Sequence, residues 1–268
     1  MRGSVFAETL RREWRNMIYW GVGIGMIGLV VLLIIPSVDA LNQMVRLIET
    51  LPPAILQAAG MQDVSQIATP EGFLGGAYFG RVILFLCVYA VISGLNMTSS
   101  EEDAGIMDVL LSQPLPRWRI VVEKFAAYAL MSVGIVVMGF LGLFIGAESS
   151  SLEINIGRLA EGNLNVLPSV LLAMTFTLFA GVFFRTRTLA IAASAVFVVG
   201  SYFLNFIGGL ASGSVVDQLR VVSFFRYYNN EAVMQNGLAW SDIGLLLGVT
   251  ALLFAASLWF FQRRDIGL

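Results

Sequence analysis

Residues 17–35 read MIYWGVGIGMIGLVVLLII, nineteen residues without a charge. About 20 consecutive apolar residues cross the hydrocarbon core of a bilayer, so this run predicts a membrane-spanning helix. Working outward, the pattern recurs at Phe73–Met97, Phe125–Ala147, Val166–Phe184, Leu189–Leu210 and Ile243–Phe261. Only Arg81 interrupts these runs with a charge. The whole chain is 57% hydrophobic and 13% charged, with a mean hydropathy of +0.81. A soluble core cannot absorb that much apolar surface, so the predicted class is an all-α integral membrane protein with six spans. One membrane domain over residues 1–268 is expected, with no soluble domain. The first span follows a long charged segment and no small-residue cleavage site, so it is read as retained rather than as a signal peptide.

The net charge of −2 carries little information; its distribution carries more. Arg2, Arg11, Arg12, Arg15, Arg117, Arg119, Lys124, Arg185, Arg187, Arg263 and Arg264 fall in alternate connecting segments. The other segments hold only Arg46, Arg158, Arg220 and Arg226. Eleven cations against four place both termini and the 99–124 loop in the cytoplasm. The expected location is the cell membrane, multi-pass. Cys87 is alone and within a span, so no disulfide framework is expected.

Residues 1–16 show Phe6, Leu10, Trp14 and Met17 at helical spacing, with Glu8, Arg11, Arg12, Glu13 and Arg15 largely on other faces. This pattern predicts an amphipathic helix in the inner interface, Trp14 at headgroup depth. The plainer alternative is a positive flank that orients the first span. In the outer segment after it, Leu41, Met44, Val45, Ile48 and Leu51 form one apolar stripe, broken by Pro52 and Pro53. In 211–242, Phe224, Phe225, Tyr227, Tyr228 and Trp240 read as an aromatic belt at the outer interface. Short helices dipping into the outer leaflet are the alternative in both segments, with ordinary interfacial anchoring slightly preferred.

Several chemistries are excluded. The chain has no histidine, which removes the commonest general base and metal ligand together. One cysteine cannot build a zinc site. No Asp or Glu lies in any of the six runs, so intramembrane proteolysis by an aspartate pair has no residues. Gradient-driven carriers usually keep ionisable groups at membrane depth, and here only Arg81 qualifies. Snorkelling outward or a structural pairing is its first reading; a place in a substrate path is the second. A P-loop requires G-x-x-x-x-G-K-[ST]. The only lysine, Lys124, stands between Glu123 and Phe125, so the chain carries no such motif. No cofactor or metal is expected in this chain, and no nucleic-acid partner.

The segment 99–124, SSEEDAGIMDVLLSQPLPRWRIVVEK, holds a further signal. Ser99 or Ser100 can cap a helix whose first turn carries Glu101, Glu102 and Asp103, where the helix dipole favours anions. Ile106, Val109 and Leu110 then lie on one face, and Pro114 and Pro116 end the helix. Arg117, Trp118, Arg119 and Lys124 are expected to anchor the chain at the inner headgroups. A plain turn needs only a few polar residues, whereas this one includes Leu110-Leu111, a poor choice for a solvated turn. Docking of a partner protein accounts for both features.

The sequence Glu101-Glu102, Gly105, Asp108-Val109-Leu110-Leu111-Ser112-Gln113-Pro114, Arg117-Trp118 and Lys124 resembles the first cytoplasmic loop of ABC exporter permeases of the ABC-2 type. The ending Phe261-Gln262-Arg263-Arg264-Asp265-Ile266 and the six-span layout are similar to that family too. The chain departs from the pattern near Ser223, where a Ser-Pro often precedes the last span. The resemblance implies a half-transporter that pairs with a second copy or a related permease. A separate ATPase subunit, carrying ATP and Mg, would dock on a coupling helix contributed by Glu101, Glu102, Gly105, Ile106, Asp108, Leu110 and Leu111. The N-terminal helix, Phe6 to Trp14, would flank it. The two alternatives are a carrier or channel driven by an ion gradient, and a non-transporting membrane scaffold. Ser93, Gly94, Asn96, Gly200, Ser201 and Asn205 are candidates for a subunit interface, with helix packing the first reading of most of them. Arg81, Asn96 and Asn205 are also candidates for a substrate path. The apolar and aromatic spans favour an amphipathic or lipid-like cargo.

Overall fold

A computed structural model describes residues 5–34, 37–50, 52, 69–98, 116–184, 186–210 and 215–263. The described residues are mostly helical, with no strand among them. In chain order the helices are α1 (Val5–Ile34), α2 (Val38–Glu49), α3 (Pro70–Met97), α4 (Arg117–Ser149), α5 (Ile156–Phe183), α6 (Arg187–Leu210), α7 (Val215–Leu219), α8 (Phe224–Tyr228), α9 (Asn230–Asn236) and α10 (Trp240–Arg263). Six of them, α1, α3, α4, α5, α6 and α10, are long and apolar enough to cross a membrane. They correspond one to one with the six apolar runs.

The helices outrun those runs. α4 starts at Arg117 rather than 125, and α5 at Ile156 rather than 166. Absence of charge marks where a chain enters hydrocarbon, but a helix continues wherever charged side chains can pair along it. Arg119 Nε meets Glu123 Oε1 at 2.7 Å one turn on, and Arg158 meets Glu161 at 2.8 Å. The same reasoning corrects the N-terminus. The amphipathic turns expected as a separate element ending at residue 16 form one uninterrupted helix with the first span, Val5–Ile34. No proline stands at the junction, and each added residue extends the hydrogen-bonded ladder at little entropic cost. At 1.5 Å per residue this helix is about 45 Å long, some 15 Å more than a bilayer core.

Glycines set how the spans meet. α1 carries Gly21, Gly25 and Gly28, and α4 carries Gly139, Gly142 and Gly146. A Cβ built on Gly25 would lie 2.8 Å from the Met138 carbonyl oxygen, so the two backbones touch. α1 and α4 form the most extensive helix pair of the bundle. Small residues permit this approach, and in lipid van der Waals contact is what holds helices together. α5 is the most buried span and packs against α3, α4, α6 and α10. Gly94 of α3 lies against it so closely that a Cβ would meet Met174 O and Thr177 Cβ at 2.6 Å. Gly94 and the buried Ser93 thus pack within the chain.

The segments 37–50 and 215–236 are more structured than interfacial anchoring requires. Ser37 caps α2, its hydroxyl accepting the Ala40 N–H at 3.2 Å, and Leu41 and Val45 of the apolar stripe are buried. Before α10, the short helices α8 and α9 pack onto α5. This corrects the aromatic-belt reading. Phe224, Phe225 and Tyr228 are buried in the protein, while Trp240 remains exposed. Aromatic rings satisfy either environment, and the backbone turn at Ser223 turns them inward. The Ser223 hydroxyl donates to the Ser201 carbonyl at 2.6 Å, fixing α8 to α6.

Candidate functional site

Two regions concentrate polar chemistry, one at each end of the bundle. The first lies where α3 ends and α4 begins, flanking the 99–124 loop. Lys124, expected from its place after Arg117 and Trp118 to anchor at the headgroups, turns its side chain into the protein. It is 2% exposed, and its Nζ donates to the Met97 carbonyl oxygen at 3.2 Å. Met97 is the last residue of α3, where carbonyls lack helical partners and the dipole favours a cation. The chain's only lysine therefore ties the residue that ends one span to the second turn of the next. Replacing it with methionine keeps the aliphatic stem and leaves that carbonyl without its ammonium. Lys124→Met is expected to lower stability by about 1–3 kcal/mol, read as a fall in the unfolding temperature in detergent.

One residue earlier, Glu123 faces the start of α1. Its Oε2 accepts the Phe6 N–H at 3.1 Å, and its Oε1 accepts from Arg119 Nε. A carboxylate at a helix N-terminus satisfies free N–H groups and opposes the dipole. Leu10 packs against the core, while Trp14 is 47% exposed with the Arg15 guanidinium 5.7 Å from its ring centroid. Arg117 is half-buried and Trp118 exposed. The three elements that bracket the loop are thus joined by side-chain bonds. Glu101, Glu102, Gly105, Ile106, Asp108, Leu110 and Leu111 lie outside the described residues.

The second region is at the opposite end. Residues Gly75–Phe79 of α3 form a π turn. Such turns displace carbonyls from their α-helical partners and recur at functional sites. Arg81 takes two of them, its Nη1 donating to Gly76 O at 3.1 Å and Ala77 O at 3.0 Å. Arg81 is thus paired with backbone carbonyls of its own helix. The Tyr228 hydroxyl takes a third, Phe79 O, at 3.0 Å. Tyr228 belongs in turn to a buried network: Asn165 of α5 donates to the Tyr228 carbonyl and, at 2.7 Å, to Asn230 Oδ1. Asn230 Nδ2 donates to Gly162 O at 3.2 Å. Buried amides without partners are costly, so this closed network sets the position of α8 and α9. Asn165→Leu is expected to cost about 1–3 kcal/mol by stranding Asn230 and the Tyr228 carbonyl, measured by thermal unfolding.

The remaining candidates separate. Asn205 Oδ1 accepts from Arg220 Nε at 3.3 Å and Nη2 at 3.2 Å, joining α6 to the following 3₁₀ turn. A Cβ on Gly200 would meet nothing within 4 Å. Asn96 lines a small cavity between α1, α3 and α4. Sequence reasoning missed the Lys124–Met97 bond, the Glu123 cap and the Asn165–Asn230 network. The glycine spacing in α1 and α4 was a legible signal for the first helix pair; the others pair residues 27 to 117 positions apart.

A family model for ABC-2 family transporter proteins matches residues 8–266 of the chain. No curated protein matches it.

Proposed function

Because the chain belongs to the ABC-2 family of transporter proteins, we propose that it is the permease of an exporter whose separate ATPase docks on the cytoplasmic 99–124 loop. The family is a membrane transport component, and this chain's six spans fit that role. The exported cargo is an amphipathic or hydrophobic molecule, in keeping with the apolar spans. A second permease, a copy of this chain or a related one, completes the transporter in the cell membrane.

One observation carries the reading. Lys124 bonds the end of α3, and Glu123 bonds the start of α1. A loop that only joined two spans would not require its flanks to be tied to each other and to the N-terminal helix. A loop that receives force does. Displacement of a docked knob reaches α1, α3 and α4 together through these bonds, as rigid elements moving about an interface. ATP supplies the energy in the partner, since the chain's lone lysine stands outside any phosphate-binding motif.

Proteoliposomes containing the permease with its co-encoded ATPase, a fluorescent phospholipid and an amphipathic dye test the proposal. Transport should require both proteins and ATP. Transport by the permease alone, in vesicles lacking ATP but carrying an ion gradient, would replace this reading with a gradient-driven carrier.

A further inference from the structure

Two cavities follow each other along the seam between α1 and α3, and they differ in character. The first, about 40 Å³, lies near the charged end of α1, between α1, α3 and α4. Its wall includes Glu13, Asn16, Trp20, Tyr89, Ser93 and Asn96. The second, about 290 Å³, is an open groove lined by Tyr19, Trp20, Gly23, Ile24, Ile27 and Phe85. Trp20 belongs to both walls, so the polar cavity and the apolar groove are neighbours along the seam.

The polar cavity is built for a cation. The Glu13 side chain is 14% exposed, and Asn16 Nδ2 donates to its Oε2 at 2.6 Å. Arg12 Nε stands 3.7 Å from the other oxygen, and the Arg12 side chain is 57% exposed. Tyr89 is 4% exposed, and its hydroxyl makes no hydrogen bond of good geometry, only loose contacts with the Ser93 and Ser132 hydroxyls. A buried hydroxyl held only by loose contacts costs free energy that a ligand can recover. Trp20 and Tyr89 meet edge to face at 5.8 Å, offering π faces that attract a cation. An alkylammonium has three donors and no acceptor. Glu13, Tyr89, Ser93 and Asn96 supply acceptors for all three.

We propose that the α1–α3 seam binds an amphipathic primary amine, its ammonium in the Glu13–Tyr89 cavity and its alkyl chain along the Tyr19–Phe85 groove. Size selects the head. About 40 Å³ admits a group as small as water or ammonium, and a trimethylammonium exceeds it while offering no N–H. The groove supplies the apolar area that such pockets use for most of their affinity. Gly23 keeps it open, since a Cβ there would meet nothing within 4 Å. The head chemistry is shared by ethanolamine phospholipids and free long-chain amines.

The full chain in phosphatidylcholine nanodiscs, titrated calorimetrically with dodecylamine, tests this without an ATPase. Failure here would leave the docking proposal standing, and the reverse holds. Dodecylamine should bind at least about tenfold more tightly than dodecyltrimethylammonium or dodecanol. Glu13→Gln and Gly23→Leu should each weaken dodecylamine at least about tenfold, with unfolding temperatures near that of the parent. Tyr89→Phe, which removes only that hydroxyl, should weaken it several-fold and serves if another variant misfolds. In discs containing ethanolamine phospholipid, competition against dodecylamine assigns the head to that lipid; undiminished binding assigns it to free amines. Equal affinity for the three amphipaths, or binding unaltered by the folded variants, means simple partition into the bilayer and overturns the proposal.

Discussion

Gly142→Ala is expected to destabilise the folded chain severely. The added methyl would fall on the Gly25 peptide, 2.5 Å from its carbonyl carbon and from its Cα. Overpacking a core ordinarily costs about 1–3 kcal/mol, because side chains rotate away. Here the obstacle is backbone, and nothing rotates. α1 must separate from α4, and the contacts of Gly21 with Met138 and of Gly28 with Leu143 separate with it. That pair is the largest in the bundle, so the loss should exceed about 3 kcal/mol, against a typical total of 5–15 kcal/mol. The measurement is the yield of monodisperse protein by size exclusion in detergent, with the unfolding temperature of whatever remains. Gly23→Ala, two residues from Gly25 and facing open space, should behave like the parent. A Gly142→Ala protein that purifies and melts like the parent would show that the two helices do not touch there.

That contrast shows what was legible in the sequence. Each of the six spans stands on an apolar run, uncharged but for Arg81, because the cost of a charge in hydrocarbon marks the run without reference to any neighbour. Glycines at positions 21, 25 and 28 signal a close approach, but not which helix approaches, nor that Gly23 is the one left open. The helix ends at Arg117 and Ile156 were hidden because ion pairs along a helix support it past the apolar run. Lys124 shows the limit best. A lysine entering a span reads as a headgroup anchor, and only the fold brings the Met97 carbonyl, 27 residues earlier, to its Nζ. Phe224, Phe225 and Tyr228 misled in the same way, since an aromatic ring suits an interface and a core equally.

Leu110→Asp combined with Leu111→Asp is expected to abolish ATP-driven transport while leaving the permease folded. If the ATPase covers these leucines, the substitution places two carboxylates in a dehydrated contact without partners, and uncompensated charge there costs several kcal/mol. Affinity for the ATPase should therefore fall at least about a hundredfold, equivalent to about 2.8 kcal/mol, and transport should fall with it. Lys124→Met supplies the complementary case. It leaves the docking surface chemically intact and removes the bond that ties α3 to α4 beside it. The ATPase should then bind with the parent's affinity and hydrolyse ATP, while transport per ATP declines. The two variants thus separate seating of the partner from transmission of its motion. Double-Asp protein that still binds the ATPase and transports would move the docking surface away from the loop. Lys124→Met protein that loses the ATPase would make the Lys124–Met97 bond part of the docking surface rather than the link behind it.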